Sequence, residues 1–180
     1  TYGADNSRLH TPPEAVAFAR DVQAITEIVR LCRRLGVPLV VRGRGTGTTG
    51  AVVPPKGGLV LSMERMNRIL DIDTANRWLV AEPGATNGEI QRLAGQNGFF
   101  WPPDPTSSAY CTIGGNLACN SAGPRAVKYG TPRENTLGLA AVAGTGAAFR
   151  TGVYTTKGVV GYDLTRLLIG SEGTLGVITE

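Results

Sequence analysis

The chain has 180 residues, of which 42% are hydrophobic and 18% charged, so it can bury a core without disulfides and is not expected to be disordered. Its net charge of +4 comes from dispersed arginines, and only 6% of its residues are aromatic, which argues against a nucleic-acid-binding surface. No apolar run reaches the roughly 18 residues of a membrane span, so no transmembrane segment is expected.

The first predicted elements are a strand, a helix and a second strand. Alternating apolar residues over 15–19 predict the first strand. Asp21 then stands as the N-cap of a helix from Val22 to Leu35, in which apolar residues recur at 3.6-residue spacing, and Gly36 ends the helix. Residues 37–41 form the second strand, and the two strands are predicted to be parallel.

The segment that follows the second strand is rich in glycine and threonine, VRGRGTGTTG over residues 41–50. It satisfies the template G-x-G-x-x-G, but two prolines and a Gly-Gly pair come next, so the helix that a dinucleotide-binding βαβ unit requires does not follow. No Gly-Lys-Ser/Thr closes the segment, which excludes a Walker A loop. Because successive N–H groups of such a turn can converge on one anion, we predict a phosphate-binding loop between strands. A plain glycine-rich surface turn is the alternative.

The later elements are hairpins, short helices and single strands. They are a strand over 58–62, a hairpin of 69–73 with 78–82, a helix opened by a Thr86–Glu89 capping box and closed by Gly98, a hairpin of 137–143 with 148–151, a helix capped by Asp163, and a strand over 176–180. Residues 99–136 show almost no periodicity. A stretch this long whose apolar content argues against disorder is expected to be functional.

Five segments occur in a characteristic order: 42–50, Glu82-Pro83-Gly84, 102–123, Tyr162-Asp163-Leu164-Thr165 and 170–178. Together they closely resemble the FAD-binding domain of the vanillyl-alcohol oxidase / p-cresol methylhydroxylase (PCMH) superfamily. Within it, the chain is most similar to the glycolate oxidase FAD-binding subunit and the FAD-linked D-lactate dehydrogenases. The resemblance covers essentially the whole chain. It implies a two-lobed α+β fold, with a strand–helix–strand lobe over roughly 1–65 and a larger lobe of mixed and antiparallel sheet, flanked by helices, over roughly 66–180.

The resemblance also implies where FAD binds. The pyrophosphate is expected on the glycine-rich segment, at Arg42, Gly43, Arg44, Gly45, Thr46, Gly47 and Thr48. The ribityl and isoalloxazine portions are expected along Pro103, Asp104, Thr112, Gly114, Gly115, Asn116, Asn120, Ala122 and Gly123. The adenosine end is expected at Glu172, Gly176 and Ile178.

FAD is expected to be bound noncovalently. Relatives with a covalent flavin commonly carry a histidine in or beside the glycine-rich loop, whereas the one histidine here, His10, lies near the N-terminus. Cys111 stands one residue from where doubly linked relatives attach the flavin, so a thioether at Cys111 is the alternative. With one histidine and three cysteines that lack a C-x-x-C spacing, no metal site is expected.

The implied activity is the oxidation of a 2-hydroxy acid, such as glycolate, D-lactate or D-2-hydroxyglutarate, by hydride transfer to the flavin. The chain begins at Thr1 without a methionine and ends inside a β-type run, so it is expected to be a piece of a longer protein. In the family a C-terminal cap domain holds the substrate and the general base; this domain is expected to lie outside the chain, so no catalytic residue is assigned and the chain alone is expected to be inactive. A further subunit that accepts the electrons is a candidate partner. The cysteine usage and the lack of a signal peptide predict a cytoplasmic protein.

Two other interpretations stay open. One is a reductase of the same fold that acts on cell-wall nucleotide sugars and takes electrons from NADPH; residues 162–165 and 170–173 favour the hydroxy-acid branch over it. The other is a non-enzymatic nucleotide- or phosphate-binding module. A flavin absorption spectrum would exclude the module, and the identity of the reductant would separate the two enzymes.

Overall fold

The computed structural model describes residues 1–180. Its strands are β1 Ala15–Phe18, β2 Leu39–Arg42, β3 Leu59–Ser62, β4 Ile69–Asp73, β5 Trp78–Ala81, β6 Gly138–Ala143, β7 Ala148–Gly152 and β8 Gly176–Ile178. Its helices are α1 Val22–Leu35, α2 Asn87–Gln96, α3 Ile113–Cys119, α4 Ala126–Tyr129, α5 Pro132–Asn135 and α6 Leu164–Leu168. None of the helices is long and apolar enough to cross a bilayer.

A three-stranded parallel sheet forms the N-terminal part of the fold, in the order β1-β3-β2. Leu59 of β3 pairs with Ala15 of β1 on one side and with Leu39 of β2 on the other. The two strands that flank α1 are therefore parallel, as predicted, but β3 lies between them. The glycine-rich segment therefore follows the carboxyl end of the edge strand β2, and the chain then returns to begin the central strand β3.

Helix α1 begins and ends where the local sequence predicts. The Asp21 carboxylate accepts a backbone N–H of the first turn at 2.7 Å and so caps the helix. Gly36 has a left-handed φ of 67° and ends it. Ile25, Val29 and Cys32 form its buried face, so Cys32 is a core thiol.

Antiparallel strands make up most of the remaining structure. The β4–β5 hairpin turns over residues 74–77, and a separate sheet has the order β7-β6-β8. Strand β6 pairs with both of its neighbours in antiparallel register, so that Ala141 lies opposite Phe149 and Ile178. Both predicted hairpins are present, and the combination of parallel and antiparallel sheets with helices confirms the α+β class.

Two groups of buried apolar side chains form the core. The first surrounds α1 and the parallel sheet and comprises Ala19, Ile25, Val29, Leu61, Met63, Met66, Val142 and Val177. The second lies among the antiparallel strands, α2, α3 and α6 and comprises Ala85, Ile90, Ile113, Leu117, Leu139, Ala141, Leu168, Ile169 and Ile178. Strands β6 and β8 contribute to both groups, so they join the two parts of the fold.

Residues 99–136, which lack periodicity, nevertheless contain the short helices α3, α4 and α5. Helix α3 includes two adjacent glycines, which disfavour a helix in isolation. It forms because Thr112 caps its N-terminus, accepting the Gly115 N–H at 3.4 Å, and because Ile113 and Leu117 are buried in the core. Tertiary packing therefore decides the conformation of this segment.

Candidate functional site

The β2–β3 connection carries a run of backbone N–H groups that have no acceptor within the chain. None of the N–H groups of residues 43–49 donates a hydrogen bond to another protein atom. Gly45 and Gly50 have left-handed φ angles of 67° and 80°, which glycine adopts without strain. No helix follows the loop. Free N–H groups in a turn of this kind can donate hydrogen bonds to phosphate oxygens. The geometry therefore fits the predicted phosphate-binding loop between strands.

A second wall of the site is the N-terminal end of α3, which is hydrogen bonded to the segment after β5. The N–H groups of Ile113 and Gly114 donate to the carbonyls of Ala85 and Pro83, at 2.8 and 2.9 Å. A Cβ atom at Gly114 would lie 2.5 Å from Pro83 Cβ, so this approach requires glycine. The Glu82-Pro83-Gly84 turn and the start of α3 therefore form one continuous surface.

A third wall is the turn between α6 and β8. The N–H groups of Gly170 and Glu172 donate to the carbonyls of Leu117 and Ala118, each at 2.9 Å. Glu172 has a left-handed φ of 52°, and its carboxylate accepts the hydroxyl of Thr49 at 3.2 Å. The turn thus connects the C-terminal part of α3 to the glycine-rich loop.

A groove runs between these three walls, with about 530 Å³ of empty space including the part open to solvent. Its lining is mostly glycine and apolar side chains. The lining residues are Val41, Gly43, Ala51, Val52, Met63, Pro83, Thr112, Gly114, Gly115, Ala118, Cys119, Glu172, Gly173, Gly176 and Ile178. Such walls leave the backbone accessible to an extended ligand.

The groove brings together one part of the predicted site. The predicted residues in its lining are Gly43, Thr112, Gly114, Gly115, Glu172, Gly176 and Ile178. Arg44, Gly45, Thr46, Gly47 and Thr48 continue the loop from Gly43, outside the lining, with their N–H groups free. Sequence reasoning did not identify Val41, Ala51, Val52, Met63, Pro83, Ala118, Cys119 and Gly173. Pro83, Ala118, Cys119 and Gly173 lie inside segments that carry the family resemblance, but no cofactor contact was assigned to them. Val41, Ala51 and Val52 lie next to residues 42–50 of the glycine-rich segment, and Met63 has no signal in the sequence.

Other predicted residues lie away from the groove lining: Arg42, Pro103, Asp104, Asn120, Ala122 and Gly123. Asn120 ends α3 with a left-handed φ of 51°, and its Oδ1 accepts a backbone N–H from α5 at 3.3 Å. The Asp104 carboxylate pairs with Arg125 at 3.2 Å. The Arg42 side chain is buried and donates to the carbonyls of Ala4 and Thr1 rather than to the groove. The contacts of Arg42, Asp104 and Asn120 are internal to the fold.

Asn116, also predicted, is a buried residue of α3 with an unsatisfied donor. It is 2% exposed, and its Nδ2 has no hydrogen-bond acceptor in the chain. A buried amide without a partner costs free energy unless a ligand or water supplies the acceptor. Asn116 lies outside the groove lining, so its unsatisfied donor stands apart from the free amides of residues 43–49, which are donors that suit a ligand with several acceptors.

Two titratable groups beside the loop have shifted pKa values. Burial raises the pKa of the Cys119 thiol, and the nearby carboxylates of Glu172 and Asp5 raise it further. Burial alone would raise the pKa of Asp5, but hydrogen bonds from Ser7 and Gly50 and the charge of Arg42 outweigh it and lower that pKa. At neutral pH, Cys119 is therefore a thiol and Asp5 a carboxylate.

A second and larger cleft lies between the β4–β5 hairpin and strands β6 and β7. Its aromatic lining residues are Trp78, Phe99, Phe100, Trp101 and Tyr154. Pro83, Gly114 and Ile178 line both this cleft and the groove, so the two are neighbours. The segment Trp101-Pro102, which precedes the predicted Pro103, belongs to this second cleft.

A family model described as FAD binding domain matches residues 13–152 of the chain. Glycolate oxidase subunit GlcD of Bacillus subtilis (strain 168) is 45% identical over 168 residues, covering 93% of this chain and 36% of that protein. D-2-hydroxyglutarate dehydrogenase of Xanthomonas citri pv. viticola is 38% identical over 180 residues, covering 99% and 38%. D-lactate dehydrogenase of Anaerostipes hadrus is 37% identical over 168 residues, covering 93% and 35%.

Among solved structures, an alkyldihydroxyacetonephosphate synthase superposes with a TM-score of 0.78 at 26% sequence identity. The match covers 91% of this chain and 32% of the synthase chain. The chain thus spans a little over a third of the length of the curated relatives that it matches. The similarity therefore concerns one portion of each of these larger proteins.

Proposed function

The chain belongs to the FAD binding domain family, and from this premise we propose that it is the FAD-binding portion of a flavoprotein that oxidises a 2-hydroxy acid. Three similar proteins support the substrate class, since their names specify glycolate, D-2-hydroxyglutarate and D-lactate. The observation that carries the proposal is the run of free N–H groups over residues 43–49 at the edge of a groove. These donors suit the pyrophosphate of FAD.

The glycine-rich loop binds the pyrophosphate in this proposal. The N–H groups of residues 43–48 donate to the phosphate oxygens, and the hydroxyls of Thr46 and Thr48 add further donors. Arg44 lies on the same loop, and its side chain is 51% exposed. Its carboxylate partner, Glu64, is 3.9 Å away, which makes a long and weak ion pair. Arg44 is free to add a cation. Several charge-assisted hydrogen bonds are needed because the phosphates lose their hydration on binding.

The groove holds the rest of the cofactor. Thr112, Gly114 and Gly115, at the N-terminal end of α3, line the ribityl and isoalloxazine portions. Asn116 lies outside the groove lining and has a buried Nδ2 with no acceptor in the chain. The opposite wall, at Glu172, Gly176 and Ile178, lines the adenosine end. Pro103, Asp104, Asn120, Ala122 and Gly123 then act by supporting α3 and its flanking loops.

The cofactor is bound without a covalent link. Cys111, the cysteine considered for a thioether, is only 2% exposed and lies outside the groove lining. Cys119 does line the groove, but burial and the neighbouring carboxylates raise its pKa. A thiol held in its neutral form is a poor nucleophile.

The residues of the loop and groove would hold FAD, which when bound would supply a hydride acceptor for the oxidation of the hydroxyl-bearing carbon. Residues of this chain bind and orient the cofactor and exclude water from its buried side. Substrate binding and removal of the hydroxyl proton belong, in this proposal, to the cap domain of a longer protein, and no catalytic base is assigned to this chain. Two glycolate oxidase subunits among the relatives support an assembly with further subunits, one of which takes the electrons.

Anaerobic reduction of the FAD-loaded full-length protein tests the proposal. D-lactate, D-2-hydroxyglutarate and glycolate are mixed with it separately, with L-lactate as the stereochemical control for D-lactate, and the visible absorbance of the flavin is followed. We expect at least one of the three acids to bleach the flavin rapidly, while NADPH and L-lactate do not. Bleaching by NADPH alone would contradict the proposal in favour of a nucleotide-sugar reductase. A protein that retains no FAD would contradict it in favour of a nucleotide-binding module.

A further inference from the structure

We propose that the N-terminal arm, residues 1–12, holds the glycine-rich loop in the conformation that presents its free N–H groups, with Asp5, Asn6 and Arg42 as the positioning residues. The arm precedes residue 13, where the match to the family model begins. The inference rests on the proposed function, because it concerns the affinity of this loop for FAD.

Asp5 and Asn6 hydrogen bond to the loop without using its free donors. The N–H of Asn6 donates to the Gly47 carbonyl at 2.9 Å, and its Nδ2 donates to the Thr46 carbonyl at 3.2 Å. Asp5 Oδ2 accepts the N–H of Gly50 at 2.9 Å. The arm therefore engages two carbonyls of the loop and the N–H group that ends it, and leaves the N–H groups of residues 43–49 free.

Arg42 fixes the arm at the other end of the loop. Its side chain is buried, and its guanidinium donates to the carbonyls of Ala4 and Thr1, at 2.7 and 3.2 Å. A Cβ atom at Gly45 would overlap this guanidinium, so Arg42 also lies directly beneath the turn of the loop. A buried cation requires partners of this kind. Arg42 consequently belongs to the support of the loop and not to its ligand-facing side.

The arm has internal structure that makes it a suitable support. Gly3 accepts the N–H of Thr11 at 2.9 Å, and Ala4 and His10 form an antiparallel bridge. Asp5 Oδ1 accepts the N–H of Ser7 at 2.8 Å, so both carboxylate oxygens of Asp5 are used. A support that limits the loop to one conformation raises ligand affinity, because the competent conformation is then the populated one.

The test compares Asp5→Ala, Asp5→Asn and Asn6→Ala with wild type in two measurements. The first is the dissociation constant of FAD, from quenching of flavin fluorescence. The second is the hydrogen exchange rate of the Gly50 amide without FAD. Asp71→Ala is the matched control, since Asp71 is an exposed carboxylate on β4, a strand that belongs to a different sheet from β2 and β3.

We expect Asp5→Ala to weaken FAD binding about tenfold, which corresponds to the loss of one charged hydrogen bond. Asp5→Asn keeps one of the two acceptor oxygens and should give an affinity between those of wild type and Asp5→Ala, and Asn6→Ala should weaken binding less than Asp5→Ala does. The Gly50 amide should exchange faster in Asp5→Ala, with unchanged rates in α1. Asp71→Ala should match wild type in both measurements.

Wild-type FAD affinity in both Asp5→Ala and Asn6→Ala would overturn the inference, as would an unchanged exchange rate at Gly50. Equal acceleration of exchange in α1 and at Gly50 would overturn it too, because the change would then report global stability. If Asp5→Ala does not fold, Asn6→Ala alone tests the inference, and wild-type FAD affinity in Asn6→Ala would then overturn it. Wild-type protein that binds no FAD would contradict the proposed function instead. The exchange rate of the Gly50 amide would still test whether the arm stabilises the loop conformation.

Discussion

The backbone of Gly43 lies directly against the hydroxyl of Thr112. A Cβ atom on residue 43 would overlap Thr112 Oγ1, yet it would stay 3.6 Å from Thr112 Cβ, which is ordinary van der Waals contact. The glycine-rich loop and the N-cap of α3 are thus fitted to one another, and Gly43 and Thr112 both line the groove. The proposed FAD site depends on this contact, since it sets the separation of two of its walls.

The contact predicts that Gly43→Ala and Thr112→Ala have non-additive effects on the free energy of unfolding. Gly43→Ala in wild type should lower the free energy of unfolding by about 2 kcal/mol, because the added methyl overpacks the contact. Thr112→Ala alone should cost about 1 kcal/mol through the lost N-cap. In the Thr112→Ala background, the further change Gly43→Ala should cost little, since the overlapping oxygen is gone. Urea unfolding of the four proteins measures this cycle, and an equal cost of Gly43→Ala in both backgrounds would argue against the contact.

Acid precipitation tests the mode of flavin attachment. We expect the yellow colour to pass into the supernatant for wild type, because Cys111 is inaccessible and the raised pKa of Cys119 keeps its thiol neutral. Cys119→Ser should give the same result. Colour that stays in the wild-type pellet but is released from Cys119→Ser would show a thioether at Cys119 and refute noncovalent binding.

Glu82, beside the groove residue Pro83, predicts a pH dependence of stability. Its buried carboxylate accepts Arg68 Nη2 at 2.7 Å and the Arg68 N–H at 2.8 Å. Burial opposes its ionisation, but these hydrogen bonds and the charge of Arg68 prevail and lower the pKa of Glu82. The stabilisation is therefore present above the ordinary carboxyl pKa and is lost as the pH falls through the lowered value.

Glu82→Gln should accordingly lower the free energy of unfolding by about 2 kcal/mol at neutral pH, the value of a hydrogen bond to a charged group. The difference from wild type should shrink below about pH 4, as the carboxylate of the wild type is protonated. Glu27→Gln, at an exposed position of α1, is the matched control and should change little. Denaturant unfolding across this pH range provides the measurement, and a difference that is constant with pH would contradict the assignment.

Local signals in the sequence predict much of the fold. Asp21 and Gly36 determine the bounds of α1, and the Thr86–Glu89 capping box determines the start of α2, because these effects need only neighbouring residues. The position of β3 between β1 and β2 is set by nonlocal pairing, which leaves no local signal. Helix α3 is missed for a related reason, since its glycines predict a loop and its burial decides otherwise.

The candidate site likewise contains residues that the sequence predicts and residues that only the structure identifies. The glycine-rich loop is recognisable because residue type and spacing specify a backbone that can bind an anion. Arg42 stands next to that loop in sequence, yet its guanidinium points to the N-terminal arm, a contact between residues about forty positions apart. Apolar lining residues such as Val52 and Met63 have no chemical signature, so only the folded chain identifies them.

The central claim is that the loop over residues 43–49 binds the pyrophosphate of FAD, and two glycines test it most directly. A Cβ atom at Gly47 or at Gly144 would meet no protein atom within 4 Å, and neither residue has a left-handed φ. Valine at either position should therefore leave the fold intact, but at residue 47 it would stand among the free N–H groups that are proposed to bind the phosphates. Titration with FAD, followed by flavin fluorescence, should show wild-type affinity for Gly144→Val and at least a tenfold loss for Gly47→Val, about 1.4 kcal/mol or more. Wild-type affinity in both variants would contradict the claim.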